Sequence, residues 1–268
     1  MLQKIRLSKK TILVFLCILF FIFLVYLLLT NTKETFTPQN KYTAVIVEPR
    51  EHKALSLVLN NFLENLSDEW NIIIMHGNKN ISYVQNIIQK DLTKHINRIQ
   101  MINLNVDNLT IDDYNQLLTS EKFYEYIPTE IFLIFQTDTI ICENQKTLIN
   151  DYLKYDYVGA PWIWDSNSKD TDKMGGNGGL SLRKKSKMLE IIRNCNYNNE
   201  NEDGYFSNSC LNNLNLPTFQ EAKQFSVETV FNEKSFGVHK PWPYISPDSL
   251  KTIENSCPTL DELIELNK

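Results

Sequence analysis

The chain has 268 residues, a formal net charge of -5 and 43% hydrophobic residues. That length and apolar content can bury a core of its own, and no basic block follows the N-terminal flank, so a nucleic-acid partner lacks electrostatic support.

At the N-terminus, Lys4, Arg6, Lys9 and Lys10 precede an unbroken apolar run from Ile12 to Leu29. At about 1.5 Å per residue this run makes about 27 Å of helix, enough to cross a bilayer. A cleavable signal peptide is the competing reading. Its apolar part is usually shorter and ends in small residues, whereas this one ends Leu27-Leu28-Leu29-Thr30-Asn31. The expectation is a cytosolic tail over residues 1–11 and an uncleaved transmembrane anchor over 12–30. The positive-inside rule then sends everything after Thr30 across the membrane. That is a single-pass type II protein with its domain on the lumenal or extracytoplasmic side of an endoplasmic reticulum or Golgi type membrane. Residues 31–41, polar and containing Pro38, read as a stem, and residues 42–268 as one domain.

Within the domain, Tyr42 to Val47 is a short β-branched run ending at Glu48-Pro49-Arg50. Leu55, Val58, Leu59, Phe62 and Leu66 follow at helical spacing. Trp70 to Met75 reads as a second strand, Val84, Ile87, Ile88 and Leu92 as a second helical stripe, and Ile99 to Leu104 as a third strand. With Ile131 to Phe135 as a fourth, strands alternate with helices. This predicts an α/β fold whose doubly wound, mostly parallel sheet is flanked by helices.

Such sheets bind ligands beyond the carboxyl ends of their strands. There the stretch "LIFQTDTIIC" sets Gln136, Thr137 and Asp138 between two apolar runs. Phe135 ends the buried strand, Asp138 stands at the rim, and Ile140 begins a new element. Residues two apart in an extended segment project the same way, so Gln136 and Asp138 could face one Mg²⁺ or Mn²⁺ ion; the plainer alternative is that Asp138 caps a turn.

Four further stretches carry candidate chemistry. In "YVGAPWIW", Trp162 and Trp164 are either core tryptophans or faces for stacking on a sugar ring. In "GGNGGLSLR", Gly176, Gly178 and Gly179 around Asn177 permit close backbone approach to a ligand, as a plain hairpin would too. In "NEDGYFS", Glu202 and Asp203 are helix caps or supply a general base. In "FGVHKPW", His239 could ligate Mn²⁺ and Lys240 could offset the charge of a departing diphosphate. Cys142, Cys195, Cys210 and Cys257 suit one or two disulfides or isolated buried thiols. Asn65, Asn80 and Asn108 begin glycosylation acceptor patterns.

In this order, "LIFQTD", "YVGAPW", "GNGGLSLR", "NEDGYFS", "FSVE" and "GVHKPW" resemble an uncharacterised glycosyltransferase-like domain family over most of Tyr42 to Trp242. More distantly the chain resembles the GT-A fold of nucleotide-sugar glycosyltransferases. In that fold a D-x-D motif after a strand binds metal and diphosphate, and a later acidic pair carries the base. Here "QTD" keeps only the last Asp. The resemblance implies a nucleotide-sugar donor, a glycan, glycoprotein or glycolipid acceptor, and a divalent metal. Asp138 and His239 would hold the metal, Gln136 and Lys240 would lie at the diphosphate, and Asp203, with Glu202, would act as base. Trp162, Gly176, Asn177, Gly178, Gly179 and Arg183 would bind donor or acceptor. The rival reading is a catalytically silent carbohydrate- or nucleotide-sugar-binding domain; a two-carboxylate hydrolase is a third, which gives no reason for the His-Lys pair.

Overall fold

Continuous apolar runs make the central strands, as expected of strands buried on both faces. β1 (Tyr42–Val47), β2 (Trp70–His76), β3 (Ile99–Asn103) and β4 (Ile131–Phe135) are parallel neighbours in the order β3-β2-β1-β4. The computed structural model describes residues 40–164 and 172–268. The expected tail, anchor and nearly all of the stem lie outside them, as do residues 165–171. Among the described residues no helix is long and apolar enough to cross a membrane.

Between β1 and β4 come α1 (Leu55–Asn65), α2 (Ile81–Asp91), α3 (Ile111–Leu118) and α4 (Glu121–Glu125). The alternation of side chains along each strand splits the core in two. Ala44, Ile46, Ile72, Ile74, Leu133 and Phe135 pack with Leu55, Val58, Phe62, Val84 and Ile87 on one face. Val45, Ile73, Met75, Phe132 and Ile134 pack with Leu118, Phe123 and Tyr124 on the other. The rings of Phe62 and Phe135 stack with centroids 3.9 Å apart.

After β4 the chain forms β5 (Thr139–Ile141), the short α5 (Ile149–Tyr152), β6 (Tyr157–Val158) and β7 (Leu180–Lys184). β7 joins the large sheet antiparallel to both β4 and β6, an antiparallel margin on the otherwise parallel sheet. α6 (Lys185–Asn194), α7 (Glu202–Ser207) and α8 (Phe219–Phe225) follow; α8 begins in a capping box between Thr218 and Glu221. β8 (Ser226–Val227) and β9 (Gly237–His239) then complete a second, three-stranded sheet in the order β5-β9-β8. α9 (Pro247–Glu254) and α10 (Leu260–Leu266) close the chain.

Two disulfides form, so none of these four cysteines is an isolated thiol. Buried Cys142–Cys257 ties the end of β5 to the turn before α10, and Cys195–Cys210 spans the segment that contains α7. Of the glycosylation patterns, Asn65 and Asn80 are buried with their side-chain amides hydrogen-bonded to backbone carbonyls, of Asn61 and of Glu48 and Arg50 respectively. Asn108 is exposed.

Candidate active site

Strand order places the site. β2 and β3 extend from β1 to one side and β4 lies on its other side, so the direction of winding reverses between β1 and β4 and a crevice opens past their carboxyl ends. Glu48-Pro49-Arg50 leaves β1 there and Gln136-Thr137-Asp138 leaves β4. A cleft of about 330 Å³ fills the space, lined by both strand ends, by residues 108–111 with Tyr114 and Asn115, and by Asn177, Asp203 and His239. A smaller cavity of about 160 Å³ reaches Asp138 from Arg50 and Tyr114.

The second sheet brings the charged groups together. Thr139 pairs with His239 across β5 and β9, and the backbone N–H of Lys240 donates to the carbonyl of Asp138 at 2.9 Å. Asp138 and His239, 101 residues apart in sequence, thereby meet: His239 Nε2 lies 3.4 Å from Asp138 Oδ1. On the far side of the ring, Nδ1 lies 3.4 Å from Glu228 Oε1. These are ion-pair distances without hydrogen-bond geometry, and Asp138 Oδ1, His239 Nδ1 and Glu228 Oε2 are buried with no hydrogen-bond partner. Burial works against a charge on His239, but the two carboxylates outweigh it and lift the ring to about 9. Burial likewise tends to raise Asp138, yet His239 and Lys240 hold it below the usual carboxylate range.

A divalent cation fits at this place. Asp138 offers a hydrogen-bond-free buried oxygen, and its 3.4 Å distance from His239 Nε2 is only a few tenths of an ångström longer than the about 3.0 Å between adjacent octahedral ligands each about 2.1 Å from a metal. A cation bound there has to displace the proton of His239. Among the described residues no group of three or more His, Cys, Asp or Glu side chains is arranged to hold a metal by itself. Water and phosphate oxygens would therefore complete the shell, as is common for Mg²⁺. Gln136 is turned elsewhere: its Nε2 donates to the hydroxyl of Tyr114 at 3.1 Å. The side chain of Lys240 is exposed, on a residue whose φ of 44° turns the chain out of β9.

Asn177 joins this group to the acidic pair. Its Nδ2 reaches Glu228 Oε1 at 3.0 Å and Asp203 Oδ2 at 3.4 Å, while its Oδ1 accepts from the N–H of Gly179 at 2.7 Å. Gly178 N–H also reaches Asp203 Oδ2, at 3.3 Å. The acidic neighbours diverge here. Asp203 is half-buried beside the cleft, but both oxygens of Glu202 bind the guanidinium of Arg183, at 2.7 and 3.0 Å.

Arg183, expected to contact a ligand, is fully buried. It alternates with Leu182 on β7, so it points to the face where its guanidinium lies 4.9 Å from the Tyr157 ring centroid and 5.4 Å from that of Phe206. Arg183 has no surface to offer a substrate, whereas Glu202 lines the cleft with only 5% of its side chain exposed and its carboxylate engaged by Arg183.

The glycines also serve the protein's own contacts. A Cβ on Gly179 would lie 2.3 Å from His239 Nε2, and one on Gly178 would lie 2.1 Å from Glu202 Oε1. The carbonyl of Gly176 accepts from Tyr157 and Ser207. Half-buried Trp162 stacks on exposed Trp164 with centroids 5.5 Å apart. Their loop is pinned where Ile163 N–H donates to Thr229 Oγ1 at 2.8 Å, next in sequence to Glu228.

Sequence reasoning passed over Glu228, Glu48 and Arg50. The Glu48 carboxylate accepts three hydrogen bonds from Arg50, from its backbone N–H, Nε and one terminal nitrogen, and so holds that guanidinium at the cleft. The strand-end rule that selected Asp138 applies equally to "EPR" after β1. For Glu228 the signal was its place in "FSVE", which carried no role.

A family profile described as "Protein of unknown function (DUF5672)" matches residues 98–239, more than half of the chain and every one of these groups except Arg50, Glu48 and Lys240. The chain belongs to the DUF5672 family. No curated protein sequence matches it. Among solved structures, the galactosyltransferase LgtC, in complex with donor and acceptor sugar analogs, aligns with a TM-score of 0.50 at 13% identity, over 84% of this chain and 94% of that one. The bifunctional glycosyltransferase WbbM aligns with a TM-score of 0.50 at 9% identity, over 85% of this chain and 52% of that one. The mannosyltransferase PcManGT from Pyrobaculum calidifontis, in complex with GDP-Man and Mn²⁺, aligns with a TM-score of 0.45 at 12% identity, over 64% of this chain and 52% of that one. The chain thus spans about half the length of WbbM and of PcManGT. At these identities the likeness is one of fold: this DUF5672 chain has a GT-A-like architecture.

Proposed function

We propose that the domain transfers a sugar from a nucleotide-sugar donor to an acceptor hydroxyl on a glycan, glycoprotein or glycolipid. The observation that carries this reading is the pairing of Asp138 and His239 at the mouth of the β1/β4 crevice, with Asp203 linked to it through Asn177 and Glu228. Asp138, Glu228 and Asp203 make this end of the cleft acidic, which by itself repels a diphosphate. Asp138 and His239 would hold Mn²⁺ or Mg²⁺, which bound there neutralises the diphosphate and its developing charge as it leaves. Arg50, held by Glu48, faces the same cleft and offers a second positive group, and Lys240 a third.

In this reading the acceptor sugar rests on the face of Trp164, with Trp162 behind it. Asp203 takes the proton of the acceptor hydroxyl while that oxygen bonds to the anomeric carbon and the bond from that carbon to the diphosphate breaks. Direct displacement of this kind inverts the anomeric configuration. Asn177 and the N–H of Gly178 orient the Asp203 carboxylate, and Arg183 fixes Glu202, the first residue of the helix that carries it.

Residues 12–30 act as the signal anchor, with the domain on the extracytoplasmic side; its two disulfides support that placement. The second reading, a silent nucleotide-sugar-binding domain, is favoured by one observation: Gln136 replaces the first acid of D-x-D and is engaged with Tyr114. Incubation of the protein with a panel of nucleotide sugars, with Mn²⁺ or with chelator, separates the two. Cation-dependent donor hydrolysis or transfer is expected; tight donor binding without turnover would select the silent domain.

A further inference from the structure

Glu228 is a buried acid that the reaction just described leaves without a chemical task, and 7% of its surface is exposed. The parallel pairing of Val227 with Val238 brings it beside His239, the next residue of β9. Oε1 lies 3.4 Å from His239 Nδ1 and accepts the Asn177 amide at 3.0 Å, and Oε2 has no hydrogen-bond partner. A buried polar atom left unsatisfied destabilises the fold, more so when it is charged, so stability alone gives no reason to keep a carboxylate here. Leu or Met would fill the space without that cost.

We propose that Glu228 is the positioning residue that couples the cation ligand to the catalytic base; this rests on the functional reading above. A carboxylate beside Nδ1 favours the imidazole tautomer protonated at Nδ1, which leaves the Nε2 lone pair directed at the Asp138 side, where the cation would bind. It also makes Nε2 the more basic ligand. Toward the acceptor side, Asn177 has two amide hydrogens and two carboxylate neighbours, Glu228 Oε1 and Asp203 Oδ2. One amide group thereby spans the two acids and fixes the distance between them. Loss of Glu228 frees both His239 and Asn177, and through Asn177 loosens Asp203.

The test is Mn²⁺ binding alone, without donor, read as the electron paramagnetic resonance signal of free Mn²⁺ for the detergent-solubilised full chain and its Glu228→Ala and Glu228→Gln variants. Removal of a carboxylate partner of a metal-ligating histidine typically costs 10–100-fold in metal affinity, and about that loss is expected for Glu228→Ala. Glu228→Gln keeps an oxygen for Nδ1–H and should lose clearly less. Equal losses in the two variants would mean that only charge matters, and wild-type affinity in Glu228→Ala with a lowered melting temperature would mean a structural role; each overturns the proposal. If Glu228→Ala does not fold, Glu228→Leu, which fills the space without the oxygen, takes its place, and wild-type affinity in that variant overturns the proposal. A wild-type chain that binds no Mn²⁺ removes the cation reading itself, and this inference with it, whereas Mn²⁺ binding indifferent to Glu228 removes only the inference.

Discussion

Arg183 and Glu202 meet through two parallel hydrogen bonds, of 2.7 and 3.0 Å, where neither side chain has more than 5% of its surface exposed. Burial works against the Arg183 charge, but the Glu202 carboxylate overrides it and holds the guanidinium protonated. Such a pair is a commitment made by the fold. Glu202→Ala should cost about 3–5 kcal/mol, because it leaves a buried guanidinium without its counter-charge. Denaturant unfolding measures this. The double replacement Arg183→Met with Glu202→Leu should be milder than Glu202→Ala, and a loss below 1 kcal/mol in the single variant would count against the pair as a structural element.

Asp203 is expected to behave in the opposite way. Asp203→Asn keeps the size of the side chain and some of its hydrogen bonds, because one of the two oxygens that accept from N–H donors becomes an NH₂, and it cannot take a proton, so turnover should fall by about 10²–10⁴-fold with donor affinity little changed. Asp203 is the second residue of α7, whose N-cap is Asn201, so the substitution forfeits one accepted hydrogen bond rather than a cap, and stability should fall by about 1 kcal/mol. Full transfer activity in this variant would remove Asp203 as the base.

Gly179 makes a steric prediction. A methyl group there would sit 2.3 Å from His239 Nε2 and 2.5 Å from Cε1, closer than any real contact. Gly179→Ala should therefore push the imidazole off Asp138. The expected result is loss of Mn²⁺-dependent donor binding with an unchanged circular dichroism spectrum. A variant that binds donor and Mn²⁺ normally would mean that His239 is not needed where the structure puts it.

Glu221 gives a pH dependence with a definite sign. The hydroxyl of Tyr155 first, then the backbone N–H of Thr218, pull its carboxyl down to about 2. A carboxylate whose folded-state value is depressed stabilises the fold above its unfolded value, here the ordinary 4.5, and loses that contribution as pH falls toward 2. Glu221→Gln should therefore be less stable than wild type at pH 6, and the difference should shrink between pH 4.5 and 2. A difference that stays constant with pH would assign the effect to packing rather than charge.

The sheet was legible because β1, β2 and β4 are covered on both faces and so read as apolar runs, and because Leu55 to Phe62 and Val84 to Ile88 repeat at helical spacing. Asp138 was legible for a topological reason, as a polar residue that leaves a buried strand at its carboxyl end. The partners of these residues were not. β8 is two residues long, too short to show any period, so nothing local marks Glu228 as the neighbour of His239. Arg183 closes the stretch "GGNGGLSLR", whose resemblance set it at a ligand; only the pairing of β7 with β4 and β6 reveals that it points inward. Cysteine spacing left the pairing of Cys142 with Cys257 and of Cys195 with Cys210 open, because either partner can be brought close only by the folded chain.

The three-stranded sheet has a consequence for how sequences of this kind can vary. Asp138, His239 and Glu228 are brought into line by the register of β5, β9 and β8. A strand shifted by one residue turns all its side chains to the other face. An extra residue inside β9 would present Val238 where His239 now stands, whereas the same residue added between Glu228 and Phe236 need only lengthen a loop, at an entropic cost that grows slowly with length. The spacing within each strand is thus a frozen quantity and the spacing between strands a free one. Homologous chains that keep this chemistry should tolerate insertions between β8 and β9 freely, yet none within the triplet Gly237–His239.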